Sequence, residues 1–431
     1  MTQKRIILCL DGTWNNTYTE SERDDGDSVL KPTNVLKLAR GVLPIDESGV
    51  YQVVYYNTGV GGRTQYPGFA NSTLNKIDKG LGGGWGAGFE TNIEDTLTFL
   101  INNYSKKSAS KEPDEIFIFG FSRGAATARV LCKFIDWLGG IPSKKDVYYI
   151  PIIFREYLRT EGKKPAKGVI NEINNPADKP ARKRISSLNE ISISMLGVWD
   201  TVFSLGSKTI NYGRKRYLID EVPPNCIKHI YHAISVDERR ADFKPEIWSD
   251  VTSTEQVMEQ RYFPGVHSNI GGGYVNDGLA NCSFQYMLDK AGTLGVEFDR
   301  SFTNKYRAYP KDKLYKSKTL FYYVLDGLRF KDGKREIKID NESITIDVSV
   351  IERMLSDPSK RNSKGELIHK NLIEFYRPEN IIKLIKSIEN PFSYCLSIWE
   401  KQKEKAMDES QKEKLRNLFE ELKINSLEQI L

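Results

Sequence analysis

Apolar runs along this chain stop abruptly at polar or glycine-bearing turns. Ile6-Ile7-Leu8-Cys9-Leu10 ends at Asp11-Gly12, Ile116-Phe117-Ile118-Phe119 at Gly120-Phe121-Ser122, and residues 191–199 end at Asp200. Such short apolar, β-prone runs read as strands, residues 191–199 by their alternation and β-branched content. Residues 50–56 form another. Between them the period changes to that of a helix. Val35, Leu36 and Leu38 supply apolar positions after Thr33, and Ile93, Leu97, Leu100 and Ile101 share one face of residues 90–104. The small residues after Ser122 continue as a helix ending near Gly139-Gly140. Strands alternating with helices predict an α/β fold, a mainly parallel sheet flanked by helices. Residues 1–300 are expected to be the catalytic core, 301–390 the rest of the same domain and 391–431 a charged helical tail. In the C-terminal third, residues 319–325 are a strand candidate and 336–348 alternate. A charged helix over 400–415 is continued by the stripe Leu415, Leu418, Phe419 and Leu422, which is expected to dock on protein rather than membrane.

Composition adds limits. With 431 residues, 39% hydrophobic and 11% aromatic, the chain has material for one large α/β domain with elaborations. The net charge is +6, and residues 142–187 alone hold eleven Lys or Arg against five Asp or Glu. That basic segment follows the Ser122 helix, where a cap-like insertion belongs. It is expected either to attract anionic head groups or to be a solvated loop. No nucleic-acid partner is expected. Five scattered cysteines lack metal-type spacing and read as reduced thiols, so neither a zinc site nor another cofactor is expected. The first apolar run is too short for a signal peptide, and no stretch approaches the ~18 residues of a membrane span. The chain is therefore expected in the cytoplasm, with any export by a route without a cleaved signal and any membrane contact peripheral. The glycine-rich residues 80–89 lack the Gly-Lys-Ser/Thr ending of a phosphate loop, and core packing of Leu81, Trp85 and Phe89 explains them better than a mobile lid.

Candidate chemistry gathers at the ends of the strands. Gly120-Phe121-Ser122-Arg123-Gly124 is G-x-S-x-G between strand and helix, the form of a nucleophile elbow. Ser122 must stand on a sharp turn, and glycines on both sides let strand and helix pass closely. Asp11-Gly12-Thr13 resembles an aspartate-nucleophile phosphatase motif, but Cys9 stands where the nucleophile belongs. The loop reads instead as backbone donors for an oxyanion, Gly12 and Thr13 together with Arg123, with Asp11 in support. Asp200 at a strand end is the candidate triad acid. Asp237 is its rival, with neighbouring arginines offering it salt bridges. His229 and His232, three apart, suit one helix face and read as packing or supporting residues, not metal ligands. His267 precedes Gly271-Gly272-Gly273 and completes the order Ser122, Asp200, His267 typical of α/β-hydrolases. His369 is isolated and reads as structural.

Leu10-Asp11-Gly12-Thr13-Trp14-Asn15, Gly120-Phe121-Ser122-Arg123-Gly124-Ala125, Gly197-Val198-Trp199-Asp200-Thr201-Val202, residues 232–239, and Pro264-Gly265-Val266-His267 with residues 268–274 together resemble the catalytic domain of type VI secretion phospholipase effectors of the first Tle class. The family often has aspartate where this chain has Asn269. The resemblance implies an α/β-hydrolase that cleaves phospholipid esters, with a lipid or membrane-surface substrate and an immunity or delivery protein as partner. The alternatives are an esterase or lipase acting on a non-phospholipid ester, and a non-catalytic toxin or defence binding module on the same fold.

Overall fold

The computed structural model describes residues 4–12, 20–22, 28–59, 84–109, 111–176, 184–203, 221–240, 243–249, 251, 253–317, 333–339, 342–362 and 367–424. The strands are β1 (Lys4–Leu10), β2 (Glu20–Glu22), β3 (Ser28–Leu30), β4 (Tyr51–Asn57), β5 (Glu115–Phe121), β6 (Ile141–Pro142), β7 (Leu188–Asn189), β8 (Ile193–Trp199), β9 (Ile227–Ser235), β10 (Val257–Phe263) and β11 (Ile344–Ile346). Seven of them form one sheet in the order β11-β10-β9-β8-β5-β1-β4. Every pairing in it is parallel. β2 pairs with β3, and β6 with β7, as small antiparallel pieces.

The helices are α1 (Asn34–Gly41), α2 (Gly84–Asn103), α3 (Arg123–Leu138), α4 (Ile150–Arg159), α5 (Ala166–Asn174), α6 (His267–Gly271), α7 (Gly278–Thr293), α8 (Arg300–Thr303), α9 (Val348–Met354), α10 (Glu379–Ser387), α11 (Pro391–Lys403) and α12 (Glu409–Glu421). Side chains alternate across a strand, so a sheet covered on both sides needs apolar residues at every position. Ile6, Leu8 and Leu10 pack with α2 and α3 on one face, while Ile7 and Cys9 pack with α1 and α7 on the other. β5 repeats the division, with Ile116 and Ile118 on the first face and Phe117, Phe119 and Phe121 on the second.

Strand order also positions the site. From β1 the chain crosses to β4 on one side, then returns to β5 on the other. The loops leaving β1 and β5 diverge, and such a switch point opens a crevice at the strands' carboxyl ends. Gly12 and Ser122 both lie there.

The C-terminal segments pack onto the same sheet. β11 pairs with β10, and α9 to α12 share a core with Ile234, Val236 and Tyr262. The strand predicted over 336–348 is confined to Ile344–Ile346, and the candidate at 319–325 lies outside the described residues. The long tail helix is instead two. Glu404 adopts a left-handed conformation that ends α11, and the Asp408 carboxylate caps α12 by accepting from the Gln411 N–H. Leu415, Leu418 and Phe419 are buried in the C-terminal core, as docking on protein requires.

The basic segment 142–187 includes α4 and α5 (Arg182 and Lys183 lie outside the described residues). It packs on α3 through the Phe134–Phe154 and Trp137–Tyr157 ring pairs. Phe89 is fully buried in α2, whereas Leu81 lies outside the described residues and nothing is described of the Trp85 side chain. All five cysteines are free thiols.

Candidate active site

The elbow is shaped by close contact between backbones. A Cβ on Gly124 would lie 2.1 Å from the Leu10 carbonyl oxygen, and one on Gly120 2.7 Å from the Ala125 Cα. Only glycine lets α3 start so near the ends of β1 and β5. Ser122 takes φ 57° and ψ −120°. Its N–H donates to the Trp199 carbonyl at 3.0 Å, which ties the end of β5 to the end of β8. The next residue on β8 is Asp200, at φ 41°. Positive φ costs a non-glycine residue about 1–3 kcal/mol and tends to mark sites where strain has a use. Among the described residues, Ser122 and Asp200 are two of five such cases.

His267 opens α6 and closes the constellation. Its Nδ1 lies 2.6 Å from Asp200 Oδ2 and its Nε2 2.8 Å from Ser122 Oγ. An ionised Asp200 can only accept a hydrogen bond, so Nδ1 carries the proton and donates that bond, which leaves Nε2 free to accept from the serine hydroxyl. Phe121 and Phe243 flank the imidazole at 4.7 and 4.9 Å. The His267 N–H donates to Glu238 Oε2 at 3.2 Å, and Glu238 is itself fixed by Arg240. Burial pushes the imidazole below its ordinary value, and Asp200 only partly restores it, so the ring is neutral near pH 7.

Asp200 is fully buried. Burial alone would favour its neutral form, but the Arg335 guanidinium and His267 hold it far below the usual carboxylate range. Arg335 Nη1 donates to Oδ1 at 2.5 Å and Nη2 to Oδ2 at 3.0 Å. The Ser235 N–H adds a bond to Oδ1 at 3.0 Å. Neither Arg335 nor Glu238 follows from sequence spacing, since Arg335 stands 135 positions from the carboxylate it grips.

The other expected residues sort as follows. Asp237 Oδ2 accepts from the Gly265 N–H and the Tyr376 hydroxyl, both at 2.7 Å, so it staples the turn before His267. Its expected arginine partner belongs to Glu238 instead, because the adjacent carboxylate faces Arg240. His229 and His232 lie on β9, not on a helix, and three positions apart on a strand means opposite faces. His229 Nδ1 is 2.9 Å from the Ser194 carbonyl oxygen. His232 is pushed down to about 3 by burial and by Arg129, and its Nε2 accepts from the Thr201 N–H beside Asp200.

Asp11 accepts from the Thr33 and Tyr56 hydroxyls and from the Gly12 N–H, the last at 2.7 Å. The Gly12 donor therefore faces Asp11 here, and Thr13 lies outside the described residues. The Arg123 N–H, first in α3, has no acceptor inside the helix. Burial pushes the Arg123 guanidinium down to about 9. Asn269 ties α6 to the segment after α8 by accepting from the Tyr315 N–H and donating to the Lys313 carbonyl, both at 3.3 Å. His369 is 2.9 Å from the Tyr309 hydroxyl, away from the site. Among the described residues no group of three or more His, Cys, Asp or Glu could hold a metal ion.

Residues 4–290 match the family model described as the catalytic domain of the Tle1-like type VI secretion phospholipase effectors. An uncharacterised protein of Saccharomyces cerevisiae, YEL023C, is 28% identical over 249 residues, which is 56% of this chain and 32% of that protein. The chain thus spans about a third of that relative's length. A crystal structure of an uncharacterised Pseudomonas aeruginosa protein aligns with 99% of this chain and 63% of its own, at 17% identity and a TM-score of 0.39. The Tle1 effector bound to the VgrG spike of the type VI secretion system aligns over 64% of this chain and 52% of its own, at 21% identity and a TM-score of 0.32.

Proposed function

The chain belongs to the Tle1-like phospholipase effector catalytic-domain family, and from that premise we propose that it is a serine hydrolase that cleaves acyl esters of glycerophospholipids. The observation that carries this reading is the relay of two short hydrogen bonds, Asp200 to His267 to Ser122. Ser122 Oγ attacks the ester carbonyl carbon while His267 Nε2 takes its proton. Asp200 keeps the imidazole in the tautomer that can accept, and stabilises the imidazolium as it forms. The Arg123 N–H receives the developing oxyanion. The Gly12–Thr13 loop supplies the second donor once an amide turns from Asp11 toward substrate. The tetrahedral centre collapses, the carbon–oxygen bond to the glycerol breaks, and His267 returns its proton to the leaving lysophospholipid. Water, deprotonated by the same imidazole, then attacks the acyl-serine and releases fatty acid.

Mass spectrometry of phospholipid vesicles incubated with the purified protein tests the reading. Free fatty acid and lysophospholipid are expected, and both should be missing with Ser122→Ala. Cleavage at the phosphate, giving diacylglycerol or phosphatidic acid, would contradict it, as would intact lipid.

A further inference from the structure

Val266, directly before His267, lines a groove of about 660 Å³ whose other walls come from residues 313–317 and 370–378. Six cationic side chains line it, against the two carboxylates of Asp237 and Glu374. Arg353 is used on the Pro310 and Asp312 carbonyls, and Arg377 on Glu421. Arg239, Lys313, Lys316 and Lys370 remain exposed, and among the described residues none of the four is ion-paired. Two large apolar side chains also line the groove in contact with water, Ile373 at 83% exposure and Phe375 at 54%.

Both walls are bonded to the turn that carries His267. Asn269 joins it to Lys313 and Tyr315, and the Tyr376 hydroxyl shares the Asp237 oxygen with the Gly265 N–H. Whatever lies in the groove therefore lies against the histidine side of the site.

We propose that this groove docks the anionic face of a lipid bilayer. The lysines and Arg239 meet lipid phosphates, while Ile373 and Phe375 enter the boundary between head groups and acyl chains. An acidic protein would answer the charges, but bulky apolar side chains standing out beside unpaired lysines make an interfacial anchor. The basic segment 142–187 fits the role less well. Arg159, Lys163 and Lys164 pair there with Glu156, Glu161 and Glu172. The proposal rests on the phospholipase reading for its purpose, though not for its test.

The test is co-sedimentation of full-length Ser122→Ala protein with phosphatidylcholine vesicles, with and without phosphatidylglycerol. Binding is expected only with the anionic lipid and should weaken as salt rises, since exposed charges are screened beyond ~8 Å at physiological ionic strength. Each lysine at such a surface is worth roughly fivefold in partitioning. Lys316→Glu with Lys370→Glu should therefore lower binding at least tenfold, and Ile373→Ser with Phe375→Ser should weaken it at an unchanged melting temperature. Parent-level binding by both pairs would overturn the proposal, as would a loss that follows only Lys163→Glu with Lys164→Glu. Vesicle hydrolysis by the Ser122 protein with no effect of the groove variants sinks the docking surface alone. Groove-dependent binding without ester cleavage sinks the phospholipase reading alone.

Discussion

Both terminal nitrogens of Arg335 reach the carboxylate of Asp200, at 2.5 and 3.0 Å, in a fully buried two-point pair. The same guanidinium also donates to the Ser235 and Phe243 carbonyls, so it locks β9 and the following segment around Asp200. Arg335 bonds Asp200, Ser235 and Phe243 and not Ser122, so in the proposed mechanism it is a positioning residue that acts through Asp200. Arg335→Met should lower kcat by about tenfold to a hundredfold, or about 1.4–2.7 kcal/mol in the barrier. Loss of the cation also makes His267 easier to protonate, so the acid limb of the pH–rate profile should move upward. Arg335→Lys keeps the charge without the planar fork and should fall between the two. A fall in activity with an unmoved acid limb would mean that Arg335 serves stability only.

The pH dependence of the parent protein follows from His267. Burial holds its imidazole below the ordinary 6.5, and the proposed mechanism needs the neutral ring. kcat/KM on a dispersed ester should therefore be flat through neutrality and decline only below that value. An acid limb centred above pH 7 would contradict the buried, neutral histidine.

Asp200 and Asp237 should separate cleanly on mutation. Asp200→Asn spoils the histidine tautomer, an effect worth about 10⁴ in kcat in a well-studied protease. It also leaves buried Arg335 without its countercharge, so the variant should melt lower, and adding Arg335→Met should recover part of that loss. Burial already pushes the Asp237 carboxyl up, so Asp237→Asn should keep its two acceptor bonds and its turnover. Asp237→Ala strands the Gly265 N–H and the Tyr376 hydroxyl, at about 1–3 kcal/mol each in denaturant unfolding. Turnover lost in Asp237→Asn but kept in Asp200→Asn would exchange their roles.

What the sequence reveals of this architecture follows from where its signals are local. Ser122, Asp200 and His267 each come soon after an apolar strand, and the carboxyl ends of parallel strands are where such sites form. Arg335 gives no such signal, being a single arginine in an irregular segment far along the chain that only tertiary packing brings to Asp200. His229 and His232 invite a helical reading because their spacing fits one. The β-branched and aromatic neighbours Ile227, Ile230, Tyr231 and Ile234 favour the strand they form. The break between α11 and α12 does have a local mark, since Asp408 and Gln411 form a capping box. A continuous charged pattern hides it.

The proposed mechanism turns on Ser122 as nucleophile, and a fluorophosphonate probe reads that role directly. The purified protein should gain one covalent adduct, mapped to Ser122 by peptide mass spectrometry. Ser122→Ala, folded to the same melting temperature, should gain none. An adduct on another serine, or an unlabelled Ser122 in protein that still hydrolyses phospholipid, would contradict the Ser122–His267–Asp200 mechanism.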